Sequence, residues 1–364
     1  MSSEQNILIV RLGAMGDIVH SLPVAAALRQ AYPEVHIGWA IEERWAELLA
    51  ARSELGAASS SPSAKRPLVD AVHVVNMKSW LASPFSSQGW RERRKLKAGM
   101  RAQKYGTAFD IQGALKSVWV ARASKAEVQA GFATPREPLA KFFYQRKFEM
   151  RGVHVVEQGV NLVETFSGRN DLRTEFRLPC DPEAEAWRDA GLRKRGIGGY
   201  IVITPGAGWG AKRWPAERYG EVARQLGQWG LQSIVNSAPG EEHLAEKVVE
   251  ASGGAAQALT CSIGQLIALA RKARLFIGGD TGPVHLAAAM GVNVVAVYGP
   301  TNPARNGPYG SKAIVLRSPE SKTSHARHVD PEEGLLKVSA QDAADAAKSM
   351  LREPSSDAMG ARPS

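Results

Sequence analysis

One stretch, Leu275–Pro300 (LFIGGDTGPVHLAAAMGVNVVAVYGP), constrains the fold of this chain more than any other. The apolar run Leu275–Ile277 predicts a buried strand that stops at Gly278-Gly279. Asp280-Thr281-Gly282 predicts a tight turn, and Pro283 suits the first helical position, where a missing N–H costs nothing. The small side chains of Val284–Met290 predict a helix lying close on a sheet. Gly291 ends that helix, and Val292–Val297 predicts the next parallel strand. The pattern is a βαβ unit with a polar turn on its helix N-terminus. Such a turn offers free N–H groups and the positive end of the helix dipole to an anion. His285, one turn in, faces the same pocket. On these residues alone, Asp280 is either the N-cap of an ordinary strand–turn–helix or part of an anion site.

A chain of 364 residues suits two α/β domains better than one. Mean hydropathy of -0.23 and the lack of an apolar run near membrane-spanning length argue against a membrane span. The start, MSSEQNILIV, runs straight into a strand and does not read as a secretory signal. Two cysteines, Cys180 and Cys261, lie far apart, which suits a reducing cytosol better than a disulfide framework. The net charge of +10 suggests anionic partners: nucleic acid, an anionic membrane surface or a phosphorylated glycolipid.

Near the N-terminus, Asn6–Val10 predicts a first buried strand, Arg11–Gly16 (RLGAMG) a turn, and Asp17 the opening of a helix running to Pro33. Strand–glycine turn–helix, followed by Val35–Ile41 and the acids Glu42-Glu43, invites a dinucleotide reading. The loop lacks Gly-x-Gly-x-x-Gly spacing, however, and a carboxylate where the pyrophosphate must bind would repel it. Asp17 is therefore either an N-cap, which contributes about 1 kcal/mol, or a general base for a hydroxyl proton. Further on, Arg52–Pro67 reads as a flexible surface loop and Ala71–Val75 as a third strand. Trp90–Lys104 carries seven basic residues against Glu92 alone, with Arg93, Lys97, Arg101 and Lys104 on one helical face. That face is either solvated or an electrostatic contact for anionic lipid or an acidic acceptor. No nucleic-acid recognition motif accompanies the charge.

Strands at Thr107–Ile111 and Val128–Gly131 precede an aromatic helix opened by Arg136-Glu137-Pro138-Leu139. An amphipathic helix over His154–Phe166 and a polar linker over Ser167–Pro182 follow. Beyond it, Tyr200–Thr204 starts a second set of βαβ units. Pro205–Gly210 is a glycine-rich loop whose backbone can approach a phosphate, with Lys212 within reach. Glu241, after the strand Leu231–Asn236, can accept both hydroxyls of a ribose or serve as a first-turn helix acid. Thr301–Gly310 is a Pro/Gly/Asn loop, and Ala340–Leu351 predicts a last amphipathic helix.

Several of these segments, in this order, resemble the ADP-heptose:lipopolysaccharide heptosyltransferases (glycosyltransferase family 9). They are Met-Gly-Asp in RLGAMGDIVHSLP, Pro-Gly-Ala…Lys-x-Trp-Pro from Pro205, and Asp-Thr-Gly-x-x-His from Asp280. WAIEERWAELL and DIQGALKS…GFATPREPLAKFFYQRK are similar to the heptosyltransferase I branch. Where that branch carries hydroxyl residues, this chain has Ala207 and Gly208, so backbone contacts to phosphate are expected there.

The resemblance implies a GT-B architecture: α/β, with two doubly wound parallel-sheet (Rossmann-like) domains facing a cleft. Residues 1–175 would bind the acceptor and carry the base, and 176–338 would bind the nucleotide sugar. A helix over 339–352 would pack back on the first domain, and 353–364 would be a disordered tail. It implies an inverting transfer of heptose from ADP-heptose to Kdo of inner-core lipopolysaccharide, with Asp17 as base and Lys212 stabilising the departing ADP. Gly206, Lys212, Glu241, Asp280, Thr281, Gly282 and His285 would hold the donor, and Arg11, Gly13, Gln112, Lys116 and Arg136 the acceptor. No cofactor or metal is expected, since the chain has no Asp-x-Asp. The anionic acceptor, Kdo-lipid A, implies a cytoplasmic protein peripheral to the inner membrane; nucleic acid is not an expected partner. Heptosyltransferase II, another sugar transfer of the same family, and a non-catalytic nucleic-acid or anionic-surface module remain as alternatives.

Overall fold

The computed structural model describes residues 6–57, 60–324 and 328–352, which form two compact units dividing at Glu183/Ala184. The first unit contains β1 (Ile7–Val10), β2 (Ile37–Glu42), β3 (Ala71–Val75), β4 (Thr107–Asp110), β5 (Val128–Phe132) and β6 (Arg146–Phe148). They pair in parallel in the order β3-β2-β1-β4-β5-β6, with Ile7 of β1 level with Ile37 and Thr107. All four residues of β1 are buried, as a parallel strand covered on both faces requires. Helices Met15–Ala31 and Val155–Ser167 pack together on one side. Gly159 permits that approach, because a Cβ there would lie 2.8 Å from Val24.

The second unit contains β7 (Tyr200–Thr204), β8 (Gln232–Val235), β9 (Ala256–Ala258), β10 (Phe276–Gly279), β11 (Val294–Tyr298) and β12 (Ala313–Arg317). Their order, β12-β11-β10-β7-β8-β9, is the first unit's order read from the other edge. In each unit the chain winds outwards from a central strand, returns across it, and winds the other way. The strand pairs where it turns back are β1/β4 and β7/β10. Loops leaving the carboxyl ends of such a pair diverge and open a crevice, which is where ligands bind in open α/β sheets.

Several boundaries differ from the sequence reading, each for a tertiary reason. The polar segment after Ser167 belongs to the first unit: Gln30 and Arg173 exchange bonds of 2.9 Å in both directions, and Cys180 N–H donates to Ala64 at 2.8 Å. The division therefore falls at 183/184, not at 175/176. The last helix, Ala340–Arg352, buries Ala343, Ala344, Ala347 and Met350 in the second unit's core. Trp214 Nε1 and Arg218 anchor the chain before it through the Val338 carbonyl, at 3.0 and 2.7 Å. The expectation that this helix crosses back to the first domain is thus corrected. The expected aromatic helix is a 3₁₀ turn, Pro138–Phe143, followed by the extra strand β6. Arg52–Pro67 contains a 3₁₀ turn, Arg52–Glu54, and a bridge between Ser63 and Arg66, whose side chain is buried. Residues 58 and 59 and the tail expected over 353–364 lie outside the described residues.

Candidate functional site

The residues singled out in the sequence gather at the carboxyl ends of those two strand pairs, as two separate clusters. In the first unit, β1 leads through Arg11–Ala14 into the helix starting at Met15. The helix starts two residues earlier than expected, so Asp17 is its third residue and not its N-cap. Asp17 Oδ2 reaches back to accept from Ala14 N–H at 3.2 Å, the return half of a capping box, and pairs with Arg11 at 2.9 Å. Oδ1 accepts no hydrogen bond among the described residues. Arg11 is aimed by a second bond to the Ile111 carbonyl at 2.8 Å. Gly13 lies against Trp45: a Cβ there would be 3.1 Å from the indole nitrogen.

From the other side of the crevice, β4 ends in Asp110-Ile111-Gln112-Gly113. Asp110 is buried and organises this turn. Its Oδ1 accepts from the Gln112 and Gly113 N–H groups at 3.0 Å, and its Oδ2 from Ser117 and Tyr144 at 2.9 and 2.7 Å. Burial pushes its carboxyl above the ordinary value, against the pull of those four donors. Gln112 uses its side-chain oxygen to accept from Leu12 N–H at 2.8 Å, so it ties the β4 turn to the β1 turn. Gly113, at φ 66°, takes a conformation that favours glycine, and the Arg136 backbone packs on it, 3.0 Å from where a Cβ would be. Glu137 closes this contact: its N–H donates to Gly113 and its carboxylate accepts from Leu115 N–H. Arg136 and Lys116 are thereby held beside the same turn, both exposed. Burial raises the Glu42 carboxyl, with Lys116 the chief opposing charge.

In the second unit, the loop after β7 carries Lys212 to Asp280, at the end of β10, where the two form an ion pair. Asp280 is buried and fully engaged. Its Oδ2 also accepts from Thr301 Oγ1 at 2.6 Å, and its Oδ1 faces His285 Nε2 at 3.2 Å. Burial alone would raise its carboxyl. The hydrogen bond and charge of His285, then Lys212, outweigh burial and hold it well below the usual carboxylate range. Asp280 is accordingly not the N-cap. That position is Thr281, without a side-chain cap bond, and the helix Gly282–Ala289 places Pro283 second, not first. The Lys212 ammonium also lies 4.1 Å over the Trp209 ring. Gly206 sits under Glu241: a Cβ would lie 2.1 Å from its Oε2, so a larger residue there would displace the Glu241 carboxylate. Arg213 holds the other Glu241 oxygen at 3.1 Å.

Five participants escaped the sequence reading: Trp45, Asp110, Trp209, Arg213 and Thr301. Asp110 ends β4 and Thr301 follows β11, which was the available signal; the rest are fixed by tertiary contacts. Of the four bases expected on one face of Ser87–Ala102 and its end, three are turned to local partners. Arg93 donates to the Pro84 carbonyl, Lys97 lies over Trp119 at 5.4 Å, and Arg101 donates to the Ala123 carbonyl. Arg91, Arg94, Lys95 and Arg101 are the exposed bases of that helix.

Residues 93–336 match the family model described as Glycosyltransferase family 9 (heptosyltransferase). Lipopolysaccharide heptosyltransferase 1 of Pseudomonas aeruginosa is 28% identical over 324 residues, covering 86% of this chain and 83% of that protein. The structure of Escherichia coli heptosyltransferase WaaC with ADP is 25% identical and superposes with a TM-score of 0.74, covering 95% of this chain and 99% of that one. The same enzyme with ADP-2-deoxy-2-fluoro heptose matches with a TM-score of 0.72 at 25% identity, over 94% and 99% of the two chains.

Proposed function

The chain belongs to glycosyltransferase family 9, and from that premise we propose that it transfers a heptose from ADP-heptose to Kdo of inner-core lipopolysaccharide, with inversion at the anomeric carbon. Each unit does a separable share of the work. In the first, the free oxygen of Asp17 takes the proton of the attacking acceptor hydroxyl, while Arg11 and Ala14 N–H fix the carboxylate. Gly13 and the Gln112 amide nitrogen shape the acceptor site, and Lys116 and Arg136 offer cations to the acceptor's carboxylate and phosphates.

In the second unit, the bond from the anomeric carbon to the diphosphate oxygen breaks and ADP leaves with the electron pair. Lys212, the Thr281–Gly282 backbone and the helix dipole stabilise that charge. Asp280 does not oppose it, because its own charge is matched by Lys212 and its other oxygen is hydrogen-bonded to His285. Gly206 gives a phosphate close backbone approach, and Glu241 accepts from the ribose hydroxyls. The diphosphate is balanced by these groups and needs no divalent ion. The acceptor's lipid anchor puts the reaction at the cytoplasmic face of the inner membrane.

One observation carries this reading: Lys212, Asp280 and His285 form a charge-matched array beside an uncapped helix N-terminus, at the point where the second sheet reverses its winding. The test is transfer from ADP-heptose to a Kdo-terminated acceptor, run beside a heptose-terminated one and with a chelator present. Transfer to the Kdo acceptor, undiminished by EDTA, is expected. Transfer to the heptose-terminated acceptor alone would replace the acceptor assignment. Loss with EDTA restored by Mg²⁺ would replace the metal-free one.

A further inference from the structure

The second feature of the first unit that calls for a ligand lies away from Asp17. Between helices Met77–Ala82 and Ser87–Ala102 the chain makes a short elbow. It is ordered by its own bonds: Ser86 Oγ caps Gly89 N–H at 3.0 Å, Ser83 N–H donates to the Ser79 carbonyl at 3.0 Å, and Arg93 grips the Pro84 carbonyl. Trp80 roots it in the core, with its indole N–H on Glu92 at 2.8 Å. Yet the elbow presents Phe85 at 99% exposure, Leu81 at 72% and Trp90 at 59%.

Helix Leu115–Ala123 packs against helix Ser87–Ala102 and against the turn Pro138–Phe143, where Phe142 and Leu139 are 73% and 59% exposed. Ordered water-facing apolar side chains concentrated on adjoining elements mark an interaction surface, unlike singly scattered ones. Among the described residues, the second unit shows only Trp229, Val329 and Leu336 in that class.

The charge around these side chains selects the partner. The three elements carry six, two and one basic residues against Glu92 alone. Glu92 is occupied by Trp80 and by Gln88 at 2.9 Å. Arg94 lies 5.7 Å over the Trp90 ring and Lys141 5.4 Å over Phe142, so cations flank the apolar tips. Apolar side chains that can enter an acyl layer, ringed by Lys and Arg at headgroup depth, are the signature of an interfacial element on an anionic bilayer.

We propose that the 81–90 elbow, linked to the 138–143 turn through helix Leu115–Ala123, is a membrane-docking surface for anionic phospholipid. Phe85, Leu81 and Trp90 insert, and Arg91, Arg94 and Lys95 pair with headgroups. This deepens the lipid-anchored acceptor reading and rests on it for its purpose, but its test does not depend on transfer. The full chain is sedimented with phosphatidylcholine vesicles with and without added phosphatidylglycerol. Wild type is expected to bind the anionic vesicles, at least about tenfold more than the neutral ones, and to release in high salt.

The double variant Leu81→Ser/Phe85→Ser is expected to lose about tenfold of that binding, and Arg94→Gln/Lys95→Gln to lose the preference for anionic vesicles. Both should keep the wild-type circular dichroism spectrum and the first unit's unfolding transition, which shows them folded. Failure of wild type to bind, or undiminished binding by Leu81→Ser/Phe85→Ser, overturns the surface. Transfer to a water-soluble Kdo acceptor tests the chemistry separately.

Discussion

At the scale of single residues, the two charged centres are built in opposite ways. Asp17 keeps one oxygen engaged by Arg11 and Ala14 and the other open. Asp280 keeps both oxygens engaged and is buried. A base must exchange a proton with its substrate; an anchor must not. Asp17→Asn keeps the shape of the side chain and its bond to Ala14 N–H but removes the proposed base. Its kcat should fall by about 10²–10⁴ while ADP-heptose affinity stays at wild type. Single-turnover rates alongside a donor-binding titration check this, and near-normal turnover would remove Asp17 as the base. Lys212→Met removes one cation facing the leaving group and leaves Asp280 with His285 and Thr301. A fall of about 10²–10³ in kcat is expected from the same assay.

At the scale of elements, much of the fold could be read because its signals are local. An apolar run with a glycine turn and a small-residue helix gave β10, its turn and the following helix within a residue or two. Before β10, Ser262 and Gln265 form the capping box that starts the helix Ile263–Arg271, with bonds of 3.3 and 2.9 Å. The pairings that organise the sites were not legible, because their partners lie far away in the chain. Gln112 looked like a ligand-facing amide, yet its oxygen is spent on Leu12, a hundred residues earlier. Thr301 looked like one residue of a loop until Asp280 was beside it.

Strand packing also produces a pH effect that no local pattern announces. His73 on β3 bonds Tyr105 at 2.6 Å across Gly38, where a Cβ would lie 1.9 Å from the Tyr105 hydroxyl. Burial, with a smaller push from His36, lowers the imidazole from 6.5 to about 4. The folded protein therefore binds this proton less readily than the unfolded chain. Stability is unaffected above about pH 6.5 and declines as pH falls towards 4, by up to about 3 kcal/mol. Urea titrations across that range check it: His73→Gln should flatten this part of the acid limb, and an unchanged slope would assign the effect elsewhere.

At the scale of the whole molecule, the same winding order occurs twice, and each copy places its chemistry where the order reverses. That repetition suits the proposed division of two tasks without a second architecture. The home of the final helix has a practical consequence. Because Ala340–Arg352 completes the core of its own half, a fragment of residues 182–352 owns every buried side chain of that core. Such a piece should fold cooperatively alone and be stabilised by ADP, by about 2.7 kcal/mol at a hundredfold excess over its Kd; calorimetry with and without nucleotide decides it. Nature could then treat this half as a interchangeable cartridge, refitting the front end to new recipients while the fuel socket stays as it was.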